Sequence, residues 1–345
     1  MFLPRGRCGK MSLRSYVISR ILLTIPMLMF LLTLVFLILR VMPGDPALLH
    51  FEKNVDPEVL AEFKARLGLD KPLLQQYFDY LFGVFRGDFG LSMQDFQPVT
   101  KQILDRFPAT LELTVWAMLF AVIIGVFLGI VSAKNYDTFK DNSIRIFGIV
   151  TYAIPVFFLG MILQLIFGTY LHWLPTGSQI DPRLQPPRVT GMVTIDSLLA
   201  GNFYAFVDAV RHLILPAVTL GTVLCGIFIR LTRTNMLETL RMDFVVAAEA
   251  RGLSDQTITY RYALKNAFLP ILTMIGLQFA ALLAGAVLTE TTFSWNGLGT
   301  YLVDRISRRD YTAIQGTVVF FGLLVMLVTL VVDILYAYLD PRIRL

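Results

Sequence analysis

The chain has 345 residues, 56% hydrophobic and 16% charged, with mean hydropathy +0.66 and formal net charge +5. Soluble domains hold roughly 45–50% apolar and about 25% charged residues, so this composition excludes an ordinary soluble protein and marks an integral membrane protein. The basic excess is scattered with no aromatic-interleaved patch, which argues against nucleic acid as a partner; the two cysteines, Cys8 and Cys225, support neither a disulfide nor a metal site.

A helix needs about 20 largely uncharged residues to cross a hydrocarbon core of about 30 Å. Six stretches qualify: Val17–Leu39, Ala109–Val131, Ile144–Leu171, Leu213–Leu231, Ile271–Thr289 and Thr317–Leu339. Residues 1–16 read as a tail ahead of them. Within it "MSLRSYVISR", from Met11, looks a more natural start than the ten residues before, and Gly9-Lys10 is no phosphate loop, because Pro4 and Met11 stand where such a loop needs Gly and Ser/Thr. The first apolar stretch is too long for a signal peptide and no small-residue cleavage site follows, so residues 17–40 are expected to be a retained span.

Residues 41–108 are long enough to carry structure of their own. "DPEVLAEFKARLGL" places Asp56 as a cap, Pro57 at the first helical position, Leu60, Phe63 and Leu67 at helical spacing and Gly68 as the stop. "PLLQQYFDYLFGVF" then presents Leu74, Tyr77, Phe78, Leu81, Phe82 and Phe85, a stripe too wide for a free solvated helix. It is expected at the membrane interface or under a partner.

Residues 109–345 hold the remaining five spans. Small residues recur every four positions at Ala121, Gly125 and Gly129 and again at Gly276, Ala280 and Ala284, which predicts close helix packing. Pro26, Pro155, Pro216 and Pro270 can start or kink helices, and Pro155, deep in an apolar run, is the best candidate for a real bend. Glu112, Glu290 and Asp333 lie near span ends, His172 and His212 at boundaries, and His50 between spans, so no proton or ion relay is legible. Neither HExxH nor GxSxG occurs, and no enzyme is expected.

With the N-terminus in the cytoplasm, the inside segments carry about fifteen basic residues in roughly seventy positions. The outside segments carry about thirteen in nearly twice that length, so both termini are expected inside. The loop at 232–270 is then cytoplasmic. In it Asp243 can cap a helix from Phe244 to Arg251 that stops at Gly252, with Arg251 in the last turn. Ser254 can cap a second helix, with Leu253 and Ile258 as a hydrophobic staple, carrying Arg261 and Lys265 and running to Pro270. Ala247, Ala248 and Ala250 make the first helix small-sided, fit either to dock on another protein or to pack on its own bundle.

"VVAAEARGL" followed by "ALKNAFLP" resembles the EAA loop of ABC-importer permeases, most closely the form in the dipeptide/oligopeptide/nickel group. Ala248, Ala250, Gly252, Leu253, Lys265, Asn266, Ala267 and Pro270 match its Ala-x-Ala-x-Gly-Leu core and trailing Arg/Lys-Asn-Ala-x-x-Pro. In order along the chain, "MPGDPA", "LGLDKPLLQQY", "GDFGLS", "FPATLEL", "HLILPAVTLG", "LTRTNMLETL", "LTETTFSWNGLG", "RRDY", "QG" and "DPRIR" are similar to the B-type, dipeptide-permease subunit of that group. Val246, Glu249 and Asn296 depart from the pattern.

The resemblance implies an all-α permease of the prokaryotic cytoplasmic membrane: six spans, no catalysis and no cofactor in this chain. It implies a second related permease, two ATPases that bind and hydrolyse ATP with Mg, and an extracytoplasmic binding protein that delivers substrate. Ala247, Ala248, Glu249, Ala250, Arg251, Gly252 and Leu253 would meet the ATPase, supported by Asp243, Ser254, Lys265, Asn266 and Pro270. Peptides are the expected cargo, with nickel or another small solute as the rival within the class. An ATP-independent carrier or channel is the rival outside it.

Overall fold

The computed structural model describes residues 13–41 and 56–339. The expectations on residues 1–12, on His50, on "MPGDPA" and on "DPRIR" lie outside them. Described residues form helices α1 Leu13–Val41, α2 Pro57–Arg66, α3 Leu73–Phe85, α4 Val99–Lys134, α5 Phe139–Ala153 and α6 Val156–Tyr170. They continue as α7 Val193–Leu199, α8 Phe203–Leu240, α9 Asp243–Ala250, α10 Asp255–Gly285, α11 Val287–Thr292, α12 Leu298–Ser307 and α13 Tyr311–Leu339.

Helices α1, α4, α8, α10 and α13 are each long and apolar enough to cross a membrane, and α5 with α6 reaches that length and apolarity only as a bent pair, the geometry of a broken span or of a re-entrant loop. The expected third span, Ile144–Leu171, is therefore not one straight helix. Pro155 has no N–H to donate and forces Ile154 into an extended conformation (φ −76°, ψ 129°), so the two halves meet at 104°. The bend expected at Pro155 is present and amounts to a break. By contrast Pro26, Pro216 and Pro270 sit inside continuous helices.

Close approach of α4 and α8 forms the centre of the bundle. A Cβ on Gly125 would lie 2.5 Å from Phe228 Cβ, and one on Gly129 2.5 Å from Thr232 Cβ, so only glycine allows the two backbones this near. Leu113, Ala117, Phe228, Ile271 and Trp295 fill the core beside that contact. The second small-residue stripe serves α13: a Cβ at Gly276 would run into Val332. Both stripes thus pack helices within this chain.

At the N-terminal end, Asp56 Oδ1 accepts from the Glu58 amide at 3.0 Å, Pro57 starts α2, and Gly68 (φ +65°) closes it. The Gly68 and Leu69 amides bond back to the Ala65 and Lys64 carbonyls, a left-handed stop that glycine accepts best. The aromatic stripe of α3 divides. Tyr77 and Leu81 turn to α1, with the Tyr77 hydroxyl 2.7 Å from Thr33 Oγ1 and its ring 5.2 Å from Phe36. Leu74, Phe78, Phe82 and Phe85 stay exposed.

Several quoted motifs meet each other through buried carboxylates. Glu290 accepts from Thr110 Oγ1 (2.6 Å) and from the Gly299 and Thr300 amides (2.7 and 3.1 Å), capping the start of α12. Thr110 also accepts from the Leu298 amide, and Trp295 Nε1 donates to the Ala109 carbonyl, so "FPATLEL" and "LTETTFSWNGLG" are one joint. Glu112 caps α7 through the Val193 and Thr194 amides (3.2 and 2.8 Å). Asp310 of "RRDY" accepts from Ser92 Oγ (2.6 Å) and the Met93 amide (3.0 Å), the "GDFGLS" end of the chain. Beside it Arg305 reaches Asp95 and Gln102. Burial opposes ionisation of Asp95, but hydrogen bonds from Ser92, Gln97, Gln102 and Arg305 hold its carboxyl below the usual range.

Replacing Gly125 with Leu is expected to destabilise the fold by at least about 1–3 kcal/mol through overpacking against Phe228. Gly285→Ala, where a Cβ meets nothing within 4 Å, should be near neutral. Thermal unfolding of the detergent-solubilised chain checks both.

Candidate docking surface

The loop expected from residue 232 starts later, because α8 continues to Leu240. Arg241 and Met242 bond back into its last turn and make the corner, so Met242 and not Asp243 takes the extended position ahead of α9 (φ −78°, ψ 147°). Met242 has no side-chain cap bond. Asp243 stands one residue inside, in the first turn, where its charge still faces the positive end of the helix dipole. Asp243 as a cap is thus corrected.

The far end of α9 follows the sequence. Gly252 has φ +73°; its amide bonds to the Glu249 carbonyl (2.8 Å) and the Leu253 amide to the Ala248 carbonyl (3.3 Å), the paired bonds of a left-handed helix stop. Ser254 then caps the next helix through the Thr257 amide at 3.4 Å. Leu253 and Ile258 come together across that cap as the staple requires.

Val245 and Ala248 face inward onto Ile258, with Phe244 and Leu253 alongside. Ala247, Ala250, Glu249 and Arg251 face out with Asp243, and so do Met242 and Val246, 47% and 59% exposed. The small-sided face is therefore Ala247 and Ala250 without Ala248, and it gains an apolar line of Met242, Val246 and Ala250 at four-residue steps. Val246, a departure from the family pattern, is the most exposed branched residue of that line. Chemically this is a short ridge, apolar along its crest and charged at its ends.

The second helix does not stop at Pro270. After one widened turn over Ile258–Ala263 it runs on as α10 to Gly285, so the second helix of the loop and the fifth span are one piece. Pro270 is an exposed internal residue. Ala263 and Ala267 pack on Ile130, Ala133 and Met236, which turns Lys265 and Asn266 outward; Asn266 Nδ2 holds the Tyr262 carbonyl at 2.9 Å. Lys265, Asn266 and Pro270 thus lie along α10, away from the ridge itself.

Two supports were not legible in the sequence. Lys134, the last residue of α4, pairs with Asp255 in the first turn of α10, a contact across 121 positions. Asp141 is fully buried and takes Arg233 of α8 in a two-pronged grip (2.8 and 2.7 Å), with Ser132 Oγ on the same carboxylate. Tyr136 lies 5.4 Å beneath the guanidinium. The available signal for Asp141 was its place three residues after Thr138, the Ser/Thr-x-x-acid spacing of a helix start.

Comparison with known proteins gives a consistent set. A family model described as binding-protein-dependent transport system inner membrane component matches residues 125–345, and its N-terminal companion matches residues 13–114. A di/tripeptide transport system permease protein of Pseudomonas aeruginosa is 44% identical over 331 residues, 96% of this chain and 98% of the relative. A dipeptide transport system permease protein of Escherichia coli is 40% identical over 334 residues, with 96% and 98% covered. A glutathione transport system permease protein of Salmonella typhi is 37% identical over 330 residues, with 96% and 99% covered.

Nothing lies within 4 Å of a Cβ built on Gly252, so a side chain there meets no clash and costs only backbone strain, about 1–2 kcal/mol. Gly252→Ala should speed hydrogen exchange of the Leu253 amide by roughly fivefold to thirtyfold while exchange in α4 is unchanged.

Proposed function

The chain belongs to the binding-protein-dependent transport system inner membrane component family, and on that premise we propose that it forms half of the pathway by which short peptides are imported. It is a membrane permease subunit of the ABC-importer class. The cargoes named for its relatives are dipeptides, di/tripeptides and glutathione, all short peptides, and this supports the peptide reading over nickel. A second related permease completes the pathway, and an extracytoplasmic binding protein delivers the peptide.

The observation that carries the reading is the ridge of α9: an exposed helix stopped at Gly252 and packed through Val245 and Ala248 onto Ile258 of α10, the helix that runs on as a membrane span. Both termini and this ridge face the cytoplasm, in keeping with the charge bias of the loops. Two ATPases bind there, and ATP with Mg is bound and hydrolysed on them; this chain is not catalytic and holds no cofactor. ATP-driven closure of the ATPases favours one of two arrangements of the spans because the ridge is held differently in each.

Glu112 and Glu290, the buried carboxylates a proton-coupled carrier would need, are taken up as helix caps, which speaks against the carrier alternative.

Gly252→Val should leave the spans inserted yet reduce ATPase co-purification several-fold, because a β-branched residue resists the left-handed turn. Proteoliposomes holding the complete transporter should take up a labelled dipeptide only with ATP and binding protein present. Uptake that persists without ATP would overturn the importer reading, and retention of nickel but no peptide by the cognate binding protein would overturn the cargo.

A further inference from the structure

The broken third span leaves a cavity of about 470 Å³ between α5 and α8. The two helices touch at Gly148 and Gly226, where a Cβ on Gly226 would run into the Gly148 carbonyl. The cavity lies beside that crossing, between residues 145–153 of α5 and 226–234 of α8. Ile149 and Tyr152 form one wall and Ile227 the other, so the interior is apolar.

Three arginines stand around it: Arg145, Arg230 and Arg233. Arg233 is committed to Asp141. Arg145 reaches only the neutral Asn142 Oδ1 at 3.3 Å, and Arg230 is exposed; neither pairs with a carboxylate among the described residues. Both stand at the same level, one residue inside the ends of apolar runs that begin at Ile144 and finish at Leu231. Guanidinium groups at that depth seek an anion at the membrane surface.

We infer that this notch binds one anionic phospholipid, its phosphate held by Arg145 and Arg230 and an acyl chain laid along Ile149, Tyr152 and Ile227. The lining separates this ligand from the proposed cargo. A peptide is zwitterionic and needs an acceptor for its ammonium, but Asp141, which meets Arg233 of the lining, is fully buried and saturated by Arg233, Ser132 and the Asp137 amide, and the exposed Asp137 carboxylate stands outside the lining. A cationic rim over an apolar floor fits a phosphate with a hydrocarbon tail. The apolar walls favour the lipid over free phosphate, which has nothing to place there.

The test uses the complete transporter, incubated with vesicles of phosphatidylglycerol or phosphatidylcholine, re-extracted and weighed by native mass spectrometry. One phosphatidylglycerol should be retained per copy of this chain in preference to phosphatidylcholine. Retention should fall at least about tenfold in Arg145→Gln/Arg230→Gln and be restored in Arg145→Lys/Arg230→Lys, which keeps the charges. Arg183→Gln, outside the cavity, should change nothing and controls for general charge. Equal retention of both lipids, or retention indifferent to the Gln pair, overturns the proposal. So does displacement of the lipid by dialanine, which would make the notch a peptide vestibule, or by inorganic phosphate at millimolar concentration.

Discussion

A helix that begins inside this bundle, away from water, needs an acceptor for its first amides within the chain. Buried carboxylates supply it at three helix starts. Glu290 holds the start of α12, Glu112 the start of α7, and Asp310 the start of α13 through the Ala313 amide at 3.1 Å. Glu290 and Asp310 also bind a partner from a distant part of the chain, Thr110 and Ser92, and Glu112 is itself 81 positions from the first amide it caps. The helices between spans are thereby fixed to the spans, and the space around each cap is tight. A Cβ at Gly297 or Gly299 would fall within 3 Å of the Glu290 carboxylate. Loss of one acid would strand several amides at once, which makes these residues matter more than their number suggests.

At the other end of the bundle the same constraint takes a charged form. Asp141 and Arg233 satisfy each other almost completely, and Ser132 and the Asp137 amide fill the remaining acceptor positions. A buried pair so fully hydrogen-bonded adds little to stability over apolar packing but fixes the relative placement of α4, α5 and α8. That placement carries the Lys134–Asp255 contact and, through it, the first turn of α10.

Features governed by neighbouring residues were legible in the sequence, and features governed by contacts across the chain were not. The stops at Gly68 and Gly252, the Ser254 cap, the Leu253–Ile258 staple and the break at Pro155 each rest on a few adjacent residues whose conformational preferences decide the outcome. Asp243 failed as a cap because α8 ran past its apolar segment to Leu240 and left Met242 alone at the corner. Pro270 failed as a boundary for a related reason: a proline removes one helical bond, and the packing of Ala263 and Ala267 against α4 and α8 outweighs that loss. The inward turn of Ala248 depends on Val245 and Ile258 meeting in space. Composition and spacing carry no trace of which of three alanines will face the bundle.

The unbroken course of α10 has a mechanical consequence. Its 31 residues make a rod of about 46 Å, gripped near one end by the α9 turn and reaching past the centre of the bundle at the other. A lever of that length, tilted by about 10°, carries its far tip roughly 8 Å, on the order of the spacing between packed helices. A small tilt at the ridge end would therefore become a helix-sized displacement at the far end, with no gearing beyond the length of the rod. The widened turn at Ile258–Ala263 lies on the ridge side and the missing bond at Pro270 falls at the middle of the rod; these are its two compliant points, and the half beyond Pro270 is uninterrupted helix.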